Sequence, residues 1–186
     1  MKKTVLTFGL ISGGILSLMM LATLPFLDKI GFKYGMVIGY STMVLSFLLV
    51  FFGIRSYREE EGSGAISFFR ALGVGLLMML IACVCYVVTW EIIYFKLAPG
   101  FLDKYTSYIL EQMRLSGATQ QLIDAKIQEL QGFKKIYDNP LLNAAITFLE
   151  PLPVGVPMTL ISALILRKKA KPGEGGAEVP DTGLPA

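Results

Sequence analysis

The stretch Glu150-Pro151-Leu152-Pro153-Val154-Gly155-Val156-Pro157 sits inside an apolar run, residues 140–166, that carries no other charge. A carboxylate and three prolines interrupt what would otherwise be an uninterrupted membrane helix. In hydrocarbon, every carbonyl freed by a missing proline N–H needs a partner from protein or water, and an ionisable side chain needs one too. The thirteen Leu, Ile, Val and Phe residues of the run contribute about −5 kcal/mol to insertion, against about +3 kcal/mol for one central charge. Such a helix is marginal alone. It must lean on its neighbours, and it is expected to be the buried helix of a bundle.

Composition points the same way. Of 186 residues, 54% are hydrophobic and 17% charged, far from the balance of an ordinary soluble domain. The formal charge is only +3, and the basic residues sit at the ends of apolar runs without forming a stripe, which argues against nucleic acid as a partner. The expected environment is a lipid bilayer. Histidine is absent, which removes the commonest general base and the commonest zinc or haem ligand. The two cysteines, Cys83 and Cys85, fall on nearly opposite faces of a helix and read as small packing residues. No cofactor, metal site or catalytic residue is assigned.

Working outward from the broken run, three more apolar runs cover residues 4–27, 34–54 and 71–95, the last uncharged as far as Trp90 and closed by an interfacial Trp90-Glu91-Ile92-Ile93-Tyr94 stretch. Each is long enough for a hydrocarbon core roughly 30 Å thick. The first is read as a span because a cleaved signal peptide would have a shorter apolar region and an A-x-A-like site. Gly9 and Gly13 in the first run, and Gly31, Gly35 and Gly39 at the start of the second, recur every fourth residue. That spacing makes a flat face on which helices approach closely. Residues 55–64, with Arg55, Arg58 and three glutamates, read as a solvated loop whose arginines reach headgroup phosphates, and Ser67 as the cap of the next helix.

Residues 97–138 are of soluble composition, with apolar residues at helical spacing on either side of Ser116-Gly117. They predict an extramembrane helical hairpin whose narrow stripes pack on each other, on the membrane surface or on a partner. Counting back from Arg167 places Glu150 about 25 Å from that end of the fourth run, near the level of Glu91. The two carboxylates could therefore share one depth, and Lys134 or Lys135 could reach Glu150. The tail, residues 170–186, is rich in Gly and Pro with no apolar period and is expected to be a disordered cytoplasmic tail. Basic clusters at Lys2-Lys3, at Arg55, Arg58 and Arg70, and at 167–171 lie on one side of four spans, which puts both termini in the cytoplasm. The inverted orientation is the alternative.

Four stretches carry a family resemblance: Phe51-Phe52-Gly53-Ile54-Arg55-Ser56-Tyr57-Arg58; Ile66-Ser67-Phe68 with Arg70; Tyr137-Asp138-Asn139-Pro140; and Glu150-Pro151-Leu152-Pro153-Val154-Gly155. In these the chain resembles a bacterial membrane-protein family known as domain of unknown function 4199. The resemblance implies a four-helix protein of the bacterial inner membrane and brings no activity, cofactor or catalytic residue.

The fold class expected is an all-α, four-span membrane protein. Three functions are compatible with it. The first is a non-catalytic structural or accessory protein that binds lipid, other proteins or a second copy of itself. The second is a small ion- or proton-coupled transporter or channel subunit using Glu91 and Glu150 in the proline-broken helix. The third is an intramembrane enzyme, the weakest of the three, since no hydrolase motif, phosphate loop or metal triad is present. The residues carrying these readings are Glu91, Glu150, Pro151, Pro153, Gly155, Arg55 and Arg58, with Gly9, Gly13, Gly35 and Gly39 as packing positions.

Overall fold

The computed structural model describes residues 2–168; the tail expected to be disordered lies outside them. Among these residues the chain is helical, with one isolated bridge, Ile66 to Lys168, as its only extended pairing. Helix α1 (Lys2–Thr23) passes through a 3-10 turn at Pro25 into the short α2 (Leu27–Ile30). Gly31, at φ 79°, turns the chain into α3 (Phe32–Glu60). Helix α4 (Phe68–Ile92) ends in a π-helical turn, Ile93–Leu97. Helices α5 (Phe101–Leu115) and α6 (Gln120–Tyr137) follow, and then α7 (Pro140–Leu149) and α8 (Leu152–Leu166). Four helical stretches, 2–30, 32–60, 68–97 and 140–166, are long and apolar enough to cross a membrane.

Helix α3 runs on to Glu60, so residues 55–60 are helix and not the expected loop. Arg and Glu are good helix formers, the Ser56 hydroxyl donates to Glu60 at 2.8 Å one turn on, and Tyr57 is wholly buried. The loop begins only at Glu61. There Ser63 and Gly64 take positive φ, and Ser67 caps α4 by accepting from the Arg70 N–H.

The central helix is the third span and not, as expected, the fourth. Of its most apolar stretch 44% is buried, against 33% in the fourth span. The cause lies in the glycines of its neighbours. A Cβ at Gly9 would lie 2.9 Å from Ile81, at Gly13 2.6 Å from Cys85, and at Gly155 2.7 Å from the Met79 sulfur. Each of these glycines, on α1 and α8, admits a side chain of α4. Gly75 of α4 returns the contact, where a Cβ would meet Thr159 at 2.6 Å and Ile54 at 2.8 Å. Close approach of this kind multiplies van der Waals contact between the helices. Helices α1 and α3 are also tied by two reciprocal bonds, Ser12 Oγ to the Ser46 carbonyl (3.0 Å) and Ser46 Oγ to the Ser12 carbonyl (2.7 Å).

At the first end of the bundle, α3, α4 and α8 are braced by polar contacts. Arg58 donates to the Leu166 carbonyl at 3.2 Å, and so caps the end of α8, while Arg70 Nε donates to the Tyr57 hydroxyl at 3.0 Å. The Ile66–Lys168 bridge pairs both backbones. Arg58 is thus engaged with protein, whereas Arg55 is exposed. An open groove of about 790 Å³ on this end is lined by Arg70, Arg167 and Lys168.

Candidate functional site

The other end of the bundle is built differently. Pro151 cannot donate to the Thr147 carbonyl, and the Glu150 N–H takes that place at 3.3 Å, ending α7. Helix α8 restarts with Val154 and Gly155 donating to the Pro151 carbonyl. Pro151 is buried at the break, while Pro153 is exposed. The break also leaves Glu150 at the edge of the protein, where its Oε2 accepts from the Tyr86 hydroxyl of α4 at 2.8 Å. No lysine bonds to it among the described residues: Lys134 pairs with Asp103 of α5, and Lys104 with Asp28.

Above the break, Asn139 caps α7 by accepting from Leu141 and Leu142. Asn143, fully buried, donates to the Tyr137 carbonyl at 3.0 Å and accepts from Thr147 at 3.1 Å. Tyr94 of the π turn donates to Asp138 at 2.6 Å. The hydroxyls of Tyr137 and Thr147 lie 3.3 Å apart. Burial holds the Tyr137 hydroxyl above the usual phenol range against the opposing bond from Thr147, and the Glu150 and Glu91 carboxylates add to the rise. The ring therefore stays neutral. Glu91 itself is not joined to Glu150 by any hydrogen bond among the described residues; its Oε1 is buried without a partner.

Helices α5 and α6 dock here through aromatic rings. Phe32, at the start of α3, meets Phe101 at 5.6 Å, Tyr105 at 5.4 Å and Tyr108 at 5.3 Å between centroids. Trp90 meets Phe101 edge-on at 5.0 Å, and Tyr94 of the π turn meets Tyr137 of α6 edge-on at 5.3 Å. These contacts leave a half-open cavity of about 390 Å³ between α1, α3, α4 and the α5–α6 pair. Its wall includes Tyr40, Tyr86, Trp90, Phe101, Tyr105 and Tyr137, with Glu150 as its one charged group. The size is that of a small-molecule site, and mostly apolar walls with few polar groups are what such sites have.

Of the residues singled out from the sequence, Glu150 lines this cavity, as do Gly35 and Gly39. Gly39 differs from its expected packing role: a Cβ there would have nothing within 4 Å, because the cavity lies beside it. Gly35 touches Leu27 of α2. Arg55, Arg58, Gly9 and Gly13 lie elsewhere, in the bundle or at its other end. Tyr86, Asn143 and Thr147 went unnoticed in the sequence, and Trp90 was read only as an interfacial residue. For Asn143 and Thr147 a signal existed, a pair of polar residues one turn apart in an otherwise apolar run; for Tyr86, near the centre of an apolar helix, there was a phenol that needs a partner in lipid.

A family model described as protein of unknown function (DUF4199) matches residues 7–168. The chain belongs to the DUF4199 family. No curated protein and no solved structure matches the chain. In this DUF4199 chain the four stretches of family resemblance divide between the two ends. Tyr57, Arg58, Ile66 and Arg70 form the braced end, while Tyr137 and Glu150 line the cavity, with Asn139 and Pro151 bounding α7 beside it.

Proposed function

We propose that this chain is a non-catalytic accessory protein of the bacterial inner membrane that binds a small amphipathic molecule in the cavity beside the broken fourth span. The observation that carries this reading is the cavity of about 390 Å³ between four helical stretches, aromatic on its walls and bearing a single carboxylate. Purification from native membranes, followed by mass spectrometry of co-purifying small molecules, tests it. A ligand should accompany the wild-type chain and be lost from Gly39→Leu, whose side chain would occupy the cavity. A folded Gly39→Leu variant with the same co-purifying molecules would overturn the reading.

In this proposal both termini face the cytoplasm and α5–α6 forms an extracytoplasmic hairpin, supported by the basic groups at 167–168, Arg58 and Arg70 at the braced end. Single cysteines at Ser116 and at Ser63, with Cys83 and Cys85 replaced by alanine, should be labelled by an impermeant maleimide from outside only at position 116. Labelling only at 63 would invert the chain.

The helix break favours a second reading, a proton or cation path through Glu150, since discontinuous helices and intramembrane carboxylates serve such paths in transporters. Flux in proteoliposomes that is lost in a folded Glu150→Gln variant would establish it. The third reading has less support, because Glu91 and Glu150 do not form a bonded acid and base pair.

A further inference from the structure

The cavity wall contains one ionisable group other than phenols, Glu150, and no lysine, arginine or histidine. Among the described residues that carboxylate has no cationic partner; its bond comes from the neutral Tyr86 hydroxyl. Of the two lysines that could have reached it, Lys134 is paired with Asp103, and Lys135 does not line the cavity. A carboxylate in largely apolar surroundings without a counter-charge is costly, and a positively charged guest removes that cost. The aromatic residues around it act in the same sense. Trp90, Tyr40, Tyr105 and Phe101 line the same space, and aromatic rings attract cations, tryptophan most strongly.

We propose that the cavity takes an organic cation, an amine or quaternary ammonium carried on an apolar body, with the charged head at Glu150 and the body among Trp90, Tyr105 and Phe101. The proposal rests on the binding reading above and names its ligand class. A bare divalent metal does not fit: calcium and magnesium take six or more oxygen ligands, and this wall offers one carboxylate and scattered phenols. An anion is opposed by Glu150 and has no cation to meet.

The chain contains one tryptophan, Trp90, so its fluorescence reports directly on the cavity. The full chain in lipid nanodiscs is titrated with three probes that share a benzyl group and differ in charge: benzyltrimethylammonium, its neutral carbon isostere neopentylbenzene, and benzylsulfonate. The cation should saturate the Trp90 signal at about tenfold or more lower concentration than the neutral probe, as a cation–π contact and an ion pair together would give. The sulfonate should bind most weakly. Glu150→Gln keeps an oxygen for Tyr86 to donate to, and should remove the ion-pair share of the cation's advantage, severalfold in affinity, without altering the neutral probe. Tyr86→Phe, which keeps the charge, should retain the preference for the cation, and Gly39→Leu should abolish saturable binding of all three. Equal affinity across the charge series, or an unchanged cation affinity in folded Glu150→Gln, overturns the cation assignment while leaving a ligand-binding cavity. Absence of saturable change with every probe overturns the assignment and counts against the binding reading itself.

Discussion

The two ends of the bundle solve the same problem, holding helix termini together, by opposite means. At the braced end backbone is tied, by Arg58 to the Leu166 carbonyl and by Ile66 to Lys168, and the Arg70 side chain is bonded to the Tyr57 hydroxyl. From there into the bundle the helices close on glycine contacts that leave no space for a methyl group. At the cavity end the fourth span is split, the rings of α5 meet Phe32 and Trp90 at 5.0–5.6 Å, and Gly39 looks into open space. The difference teaches that glycine spacing alone does not specify a packed face. Gly9 and Gly39 belong to similar sequence patterns, yet one admits a neighbour and the other borders a cavity.

The sharpest way to break this comparison is to place the same side chain at both ends. Gly75→Leu should lower stability by about 3 kcal/mol or more, because its first carbon already collides with Thr159 and Ile54. Gly39→Leu should stay within about 1 kcal/mol of wild type. Thermal unfolding of both variants in one detergent measures this, and equal losses would erase the distinction.

A smaller loss is expected from Asn143→Leu, about 2 kcal/mol, since it leaves the buried Tyr137 carbonyl without its donor and Thr147 without its acceptor. The loss should be accompanied by freer exchange of amides in 137–143, with α3 and the braced end unchanged. Exchange rising equally at both ends would mean that they unfold as one unit.

At the braced end, Arg58→Met should cost roughly 1.5 kcal/mol through the charge-assisted bond to Leu166. Arg55→Met, on the exposed side of the same helix, should change stability by less than about 0.5 kcal/mol. Melting curves of the two variants that coincide would remove Arg58 as a brace. A small, salt-dependent effect belongs to Lys104→Met, whose partner Asp28 is 2.8 Å away with both side chains well exposed. It should cost under about 1 kcal/mol at low salt and nothing measurable at 1 M salt, where exposed pairs are screened. A loss that persists in high salt would make this pair a structural clamp for α5.

Much of the architecture was readable because its causes are local. Run length alone gives the four apolar stretches long enough to cross a membrane; Ser67 caps the helix it precedes; Pro151 breaks the helix at its own position because it lacks an N–H. The loop expected at 55–60 failed for a reason outside the local pattern. Those residues are charged, but Tyr57 among them is drawn into the core and keeps the helix going to Glu60.

The identity of the central helix, the contact between Tyr86 and Glu150, 64 positions apart, and the cavity were settled only in the tertiary structure. Each depends on which faces of separate helices meet, and in an apolar helix almost any face satisfies the lipid equally well. The third span shows this most clearly, being apolar all round, so nothing in its own residues says which side receives Gly9, Gly13 and Gly155. The sequence by itself determined how many helices could cross a membrane and where the fourth must break, since chain length and a missing N–H act within one segment. Where the carboxylate freed by that break comes to rest was decided by packing, since only packing brings a phenol from another helix to within 2.8 Å of it.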